Sequence, residues 1–181
     1  ALKNQKFTVN SFTMGNYSNQ PSYLLQGEES MKNITKNMNI MEALRFNYRS
    51  DVFDVSLKGS IRYSDVNNKL QSSSNMNTYD FSYGGETTIR FPWNMEISTN
   101  IENSSRRGYS SASMNTDELI WNAQIAQNFL KGNAATISFQ VFDILRNQSN
   151  VSRNITASMR SDTEYNAINS YCMLHFIYRL N

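Results

Sequence analysis

The chain has few of the residues that staple, kink or catalyse. Its single cysteine, Cys172, permits no intrachain disulfide, and one thiol fits a reducing compartment or a disulfide-free envelope protein equally well. Two prolines and seven glycines in 181 residues make a collagen-like or Pro-rich chain untenable. Charge is sparse: 18% of residues are charged and the net charge is +2, too weak a field to suggest nucleic acid. No run approaches the ~18 consecutive apolar residues of a membrane helix. The mean hydropathy of -0.56 does not exclude a membrane, because a barrel strand needs apolar residues only at alternate positions. The length suits one domain. The N-terminus, Ala1-Leu2-Lys3, carries neither a charged n-region nor an apolar h-region, and a fragment of a longer protein is the favoured expectation.

Catalytic constellations are also missing, so an enzyme is not expected. His175 is the only histidine and lies three residues from Cys172, which puts the two on opposite faces of a strand and prevents a shared metal. No G-x-S-x-G and no paired-cysteine zinc spacing occurs, and no cofactor site is legible. Gly84-Gly85 lacks the strand-turn-helix context of a phosphate loop and reads as a bend or bulge. Glu86 and Glu96 could be imagined as an acid/base pair, but Arg90 and Arg62 nearby make ordinary ion pairing the better reading. The Asn-x-Ser/Thr triplets are what chance gives in an Asn- and Ser-rich chain.

What the chain does have is alternation. Phe53, Val55, Leu57, Gly59, Ile61 and Tyr63 share one parity, while Asp54, Ser56, Lys58, Ser60, Arg62 and Ser64 share the other. Successive strand side chains point to opposite faces, so this is a ribbon with one apolar and one polar face. Similar runs cover 39–49 (with Glu42 as the exception on the apolar parity), 78–91, 93–102, 117–129, 134–142 and 168–180. A weaker one surrounds Phe7 and Val9 in 3–14. Most exceed the ~5–6 residues of ordinary strands and reach the ~9–11 that a tilted membrane strand requires. Short breaks fall at 49–52, 91–93 and 130–133. Long breaks fall near 15–36, 66–77 and 103–116. A further one at 146–166 is expected to hold a hairpin arm at 151–160, the alternative being that this segment spans. Short turns on one side and long loops on the other characterise outer-membrane barrels.

Aromatics fall near strand ends. Tyr48, Phe53, Phe91, Trp93, Phe129, Phe176 and Tyr178 lie towards the short-turn side, and Tyr63, Tyr79, Trp121 and Tyr171 lie near the opposite ends. This distribution suits two interfacial girdles. The expected fold is therefore all-β: an antiparallel up-and-down transmembrane β-barrel of about eight long strands, its apolar face to lipid. A soluble lipocalin-like barrel, which buries that face, is the alternative.

Particular stretches resemble a known family. These are Arg106-Arg107-Gly108-Tyr109, Ile120-Trp121-Asn122-Ala123, Phe129-Leu130-Lys131, Val141-Phe142-Asp143-Ile144-Leu145 with Asn147-Gln148, and the terminal Phe176-Ile177-Tyr178-Arg179-Leu180-Asn181. Over about 40–181 the chain resembles the C-terminal β-barrel region of TonB-dependent-receptor-like outer-membrane proteins of the Bacteroidetes type. Its last strand resembles the signal read by barrel-assembly machinery, although it ends Leu180-Asn181 where many such proteins end on Phe. The resemblance implies the last third of a barrel of ~22 strands, placed in the bacterial outer membrane and importing a large or scarce nutrient. It further implies an energy-coupling protein and a surface lipoprotein as partners, reached through regions outside these residues. Ligand contacts are then expected in the long loops and upper lumen, at Arg106, Arg107 and Tyr109. A complete eight-stranded barrel with a structural or adhesive role competes with this reading.

Overall fold

A computed structural model describes all residues except 1, 4, 5, 71, 73, 74, 150, 156–159, 167, 180 and 181. The chain is an antiparallel meander. The two-residue β1 (Leu2–Lys3) is followed by β2 (Phe7–Gln26), β3 (Glu29–Arg49), β4 (Phe53–Asn68), β5 (Met76–Arg90), β6 (Met95–Arg107), β7 (Asp117–Phe129) and β8 (Ala135–Phe142). A small hairpin of β9 (Val151–Ile155) and β10 (Arg160–Glu164) precedes the final β11 (Tyr171–Tyr178). One sheet runs β1-β2-β3-β4-β5-β6-β7-β8-β11, and β9 and β10 pair only with each other. Among the described residues, hydrogen bonds do not close this sheet into a barrel. All-β, antiparallel and up-and-down therefore stand as observed.

The sheet has almost no core. Met114 and Ala135 are the only buried apolar side chains among the described residues. The apolar parity is instead laid open: Leu57 is 52% exposed, Ile125 48%, Phe139 45% and Phe176 65%. Water rarely leaves such a surface bare, since contiguous exposed apolar patches mark a contact with something else.

The register also fixes a tilt. From Phe7 the cross-strand line runs through Tyr48, Val55, Thr87, Thr99, Ala123 and Val141 to Cys172. It begins on the first residue of β2 and arrives well short of Tyr178, the last residue of β11. A stagger of about six residues at ~3.3 Å, spread over about seven interstrand gaps of ~4.8 Å, inclines the strands by roughly 30° to the row of short turns. Closed barrels tilt by about 35–45°.

Several expected boundaries move. The anticipated loop at 15–36 is strand: β2 and β3 pair without a break from Phe7↔Tyr48 to Gln26↔Glu29 and turn at Gly27, whose φ is 69°. The alternation here is diluted rather than absent: Tyr17, Pro21, Tyr23 and Leu25 keep the apolar parity of β2 with Asn19 among them, while Lys32 and Lys36 flank Ile34 on the same face of β3. β4 runs on through Asn68 and β6 through Arg107, which shortens the loops expected at 66–77 and 103–116. Trp93 belongs to the turn, with Phe91 N–H donating to the Met95 carbonyl at 2.8 Å. β2 starts at Phe7 rather than residue 3, because Leu2 and Lys3 fold back onto Val9 and Thr8. The strand expected at 134–142 narrows to β8, and that at 168–180 to β11, with 180 outside the described residues.

Gly84-Gly85 forms no bulge. Lys58↔Gly84↔Glu102 and Leu57↔Gly85↔Ile101 are in unbroken register. Gly84 instead permits a close approach, since a Cβ there would overlap the Ile101 carbonyl oxygen and press on Glu102. The bare backbone at Gly84 also lets Lys58 of β4 reach over β5 to Glu102 of β6, with Nζ and Oε2 2.5 Å apart. We expect Gly84→Val to destabilise the fold by about 2 kcal/mol or more. Gly59→Ala, whose Cβ would meet only the Ser82 carbonyl at 3.8 Å, should leave stability unchanged. Thermal unfolding of the two variants checks this, and equal melting points would remove the close approach as a constraint.

Candidate functional site

The polar parity forms one continuous face. Arg49 and Arg90 both approach Asp54, at 3.8 and 2.6 Å, and Arg90 also reaches Glu96 at 3.4 Å. Cross-strand opposition places these groups, and together they form a ladder of ion pairs across β3–β6. Arg90 thus pairs with Glu96 as the sequence suggests. Arg62 touches the Met41 sulfur at 3.8 Å, and neither it nor Glu86 has an ion pair among the described residues. The polar face is hollowed. One hollow of about 510 Å³ is lined by Thr8, Arg45, Asn47, Asp54, Ser56 and Glu86 among others. A second of about 210 Å³ lies against Glu86, Ser98, Asn100, Asn122, Gln124 and Gln140. The concave side of the sheet is therefore the wet side.

At the loop end the structure splits the three residues singled out for ligand contact. Arg106 lies on the polar face opposite Asp80, whereas Arg107 lies on the apolar parity opposite Tyr79. Arg106 Nε stands 3.5 Å from Asp80 Oδ1 and its guanidinium lies 4.8 Å from the Tyr109 ring centroid. Arg106 Nη2 donates to the Tyr109 hydroxyl at 3.2 Å. That hydroxyl donates in turn to the Asp80 carboxylate, 2.8 and 3.0 Å from its two oxygens. Arg107 instead grips Asp117 through Nη2 at 2.7 and 2.6 Å. Asp80 and Asp117 were not singled out as partners. Asp80 was legible on the polar parity, but its register to Arg106 was not.

Gly108 makes this inward fold possible. Its φ is 82°, and a Cβ would collide with the Asn77 carbonyl. The loop beyond it is anchored by buried Met114 and by Asn115, whose side chain bonds both the N–H and the carbonyl of Tyr109 at 3.0 Å. Partial burial, then the hydrogen bond to Asp80, holds the Tyr109 phenol above its ordinary range.

The aromatics fall in two groups. At the short-turn end Tyr48 meets Phe53 (5.1 Å) and Phe7 (4.8 Å), Phe91 stacks on Trp93 (4.8 Å), and Phe129 meets Phe176 (6.3 Å). Tyr178 lies two strands from Phe129, across Ala135 of β8. At the loop end Tyr63 meets Tyr79 at 5.0 Å, and Trp121 Nε1 donates to Thr99 Oγ1 at 2.8 Å. Tyr171 stacks on Phe142 (4.6 Å) on the polar parity instead. Cys172 is exposed, and His175, one face over, has a buried Nε2 without a partner among the described residues. No group of metal-ligating side chains is found among the described residues.

A raised phenol pKa means that the Tyr109 contact contributes its full stability below the unfolded value of about 10 and loses it as pH rises through the folded value. We expect amide exchange in 109–115 to stay slow through neutral pH and to accelerate only in the alkaline range. Tyr109→Phe should show fast exchange at every pH, and slow exchange in that variant would show that the hydroxyl does not hold the loop.

No family model, no curated protein and no solved structure matches the chain.

Proposed function

We propose that this chain is wall of an outer-membrane β-barrel, the C-terminal portion of a TonB-dependent-receptor-like importer of a large or scarce nutrient. One observation carries the reading. The sheet is inside out for water, with its apolar side chains exposed and its hollows lined mainly by polar and charged groups, beside Tyr48 and Val55 in one and Ala123, Val141 and Phe142 in the other. A soluble ligand-binding barrel would require the reverse.

The aromatic spacing supports a bilayer. Phe7 to Tyr17 on β2 and Phe53 to Tyr63 on β4 are each ten residues apart. Ten residues at ~3.3 Å, inclined by roughly 30°, rise about 29 Å, enough to cross the ~25 Å apolar band of outer-membrane barrels. The short-turn end would be periplasmic, and the 108–116 loop would lie over the outer lumen. Lipid is then the partner of the apolar face. Barrel-assembly machinery would read β11, and the coupling protein and lipoprotein remain expectations from family resemblance.

A complete small barrel is the second reading. β2 and β11 run antiparallel to each other, so eight strands could in principle close. Against it, β1 already occupies Thr8 and Val9 on the free edge of β2. That edge is available for further strands from Asn10 to Gln26.

Two measurements test these readings. In a Cys172→Ser background reconstituted in lipid, Lys58→Cys should react with a membrane-impermeant maleimide and Leu57→Cys should not; the opposite pattern would overturn the wall. An antibody against the chain should detect, in outer-membrane fractions, a band several-fold above 20.8 kDa. A band at that mass would favour the small barrel and set the importer aside.

A further inference from the structure

The polar face carries two apolar patches: Phe142, Tyr171, Met173 and Ile177 on β8 and β11 form one, and the other, on β2 and β3, lies beside cations. On β2, Phe12 and Met14 have the parity of Thr8 and Asn10, and they stand opposite Ala43 and Met41 of β3. Ala43 lies opposite Ser60, and Ser60 hydrogen-bonds Ser82 on the polar side of β4 and β5. Phe12 and Met14 therefore open onto the concave side, 56% and 48% exposed. Ala43, Ser60 and Ser82 are small, so the floor beside them is flat enough for a ring or an acyl chain. Methionine adapts to irregular apolar partners better than branched side chains do.

Two cations flank this second patch. Arg62 stands directly opposite Met41, its Nη2 3.8 Å from the sulfur. Arg45 lies two residues from Ala43 on the same side of β3 and lines the 510 Å³ hollow. Neither forms a salt bridge among the described residues, because the nearby carboxylates are engaged elsewhere. Asp80, opposite Arg62, is held by Arg106 and Tyr109. Glu102 is held by Lys58, and Asp54 is shared by Arg49 and Arg90. Glu86 lines the hollow from β5, two strands from Arg45. An apolar floor with an uncompensated guanidinium at its edge selects a molecule that is apolar at one end and anionic at the other.

We infer that the concave face of β2–β4 is a subsite for an amphipathic organic anion, an aromatic or acyl body bearing a carboxylate or sulfate. Its apolar body lies on Phe12, Met14, Met41 and Ala43, and Arg62 takes its charged group. Arg45 adds longer-range attraction. The inference rests on this face being the lumen, and it names a chemical class for what the lumen admits.

The probe is naphthalene-2-carboxylate, titrated by fluorescence anisotropy against the full chain in phospholipid nanodiscs, with empty nanodiscs subtracted. Saturable binding is expected. The neutral naphthalene-2-methanol should bind about tenfold more weakly or worse, a comparison that needs no variant. Arg62→Gln should weaken the carboxylate by a similar factor while leaving the alcohol unchanged. Phe12→Ser should weaken both. Equal affinity for the two probes, no loss on Arg62→Gln, or no saturable binding would overturn the subsite. Maleimide labelling of Ala43→Cys and Leu44→Cys in the Cys172→Ser background separates the two failures. If only Leu44→Cys reacts, the lumen assignment falls and takes the subsite with it. If only Ala43→Cys reacts and the carboxylate does not bind, the subsite alone falls.

Discussion

The backbone ladder is the interaction on which this structure depends. A globular domain of this length would hold itself together with a side-chain core, yet only Met114 and Ala135 are buried apolar residues among those described. What remains is an unbroken series of cross-strand pairs, twenty between β2 and β3 alone. Alternate pairs exchange the backbone hydrogen bonds, satisfying groups that would otherwise be costly away from water. Side chains then decide which surface faces what. Lys58, Gly84 and Glu102 show the division of labour. The ladder aligns the three, the missing side chain of Gly84 opens the path, and charge links strands that are not neighbours.

The two faces have separate chemistries because the period of a strand is two. Shifting any strand by one residue would exchange them, so register is strongly specified where the faces differ. It is specified least where they do not. Beyond Tyr17 and Met38 the hairpin of β2 and β3 carries Asn19, Gln20, Lys32 and Lys36 on mixed faces, and it is held by the ladder and the Gly27 turn. Glu42 is a further departure. It sits on the apolar parity between Leu44 and Ile40, and its carboxylate accepts hydrogen bonds from Thr13 and, at 2.8 Å, Ser11. Two hydroxyls thus partly satisfy a charge that its surroundings do not favour.

Alternation made β4 and β5 legible almost residue by residue, since Phe53 to Tyr63 and Tyr79 to Phe91 keep strict parity. The pattern was faint where its contrast was weak. Residues 15–36 read as a loop because their alternation is diluted, with Asn19 among Tyr17, Pro21, Tyr23 and Leu25 on β2 and with Lys32 and Lys36 beside Ile34 on β3, although the backbone still pairs. In sequence the glycine pair suits a bend or bulge, and either asks for the same residue as a close approach; only the register separates them. The loop-end cluster was half legible. Arg106 and Tyr109 meet because Gly108 turns the chain inward. With 103–116 read as a loop, strand alternation could not be applied to Arg107, which lies in β6, faces the other way and belongs to Asp117.

The order of the sheet bears on how it assembles. From β2 to β8 every strand pairs with its neighbour in sequence, so each contact closes a short loop and can form locally, hairpin by hairpin. The β8–β11 seam is different. Its two strands are separated by everything from Asp143 to Ser170, including the β9–β10 hairpin that pairs with neither. Closing that span carries the largest loop entropy in the sheet. The seam therefore zips last, and until it does the two eight-residue strands β8 and β11 are left waiting for each other.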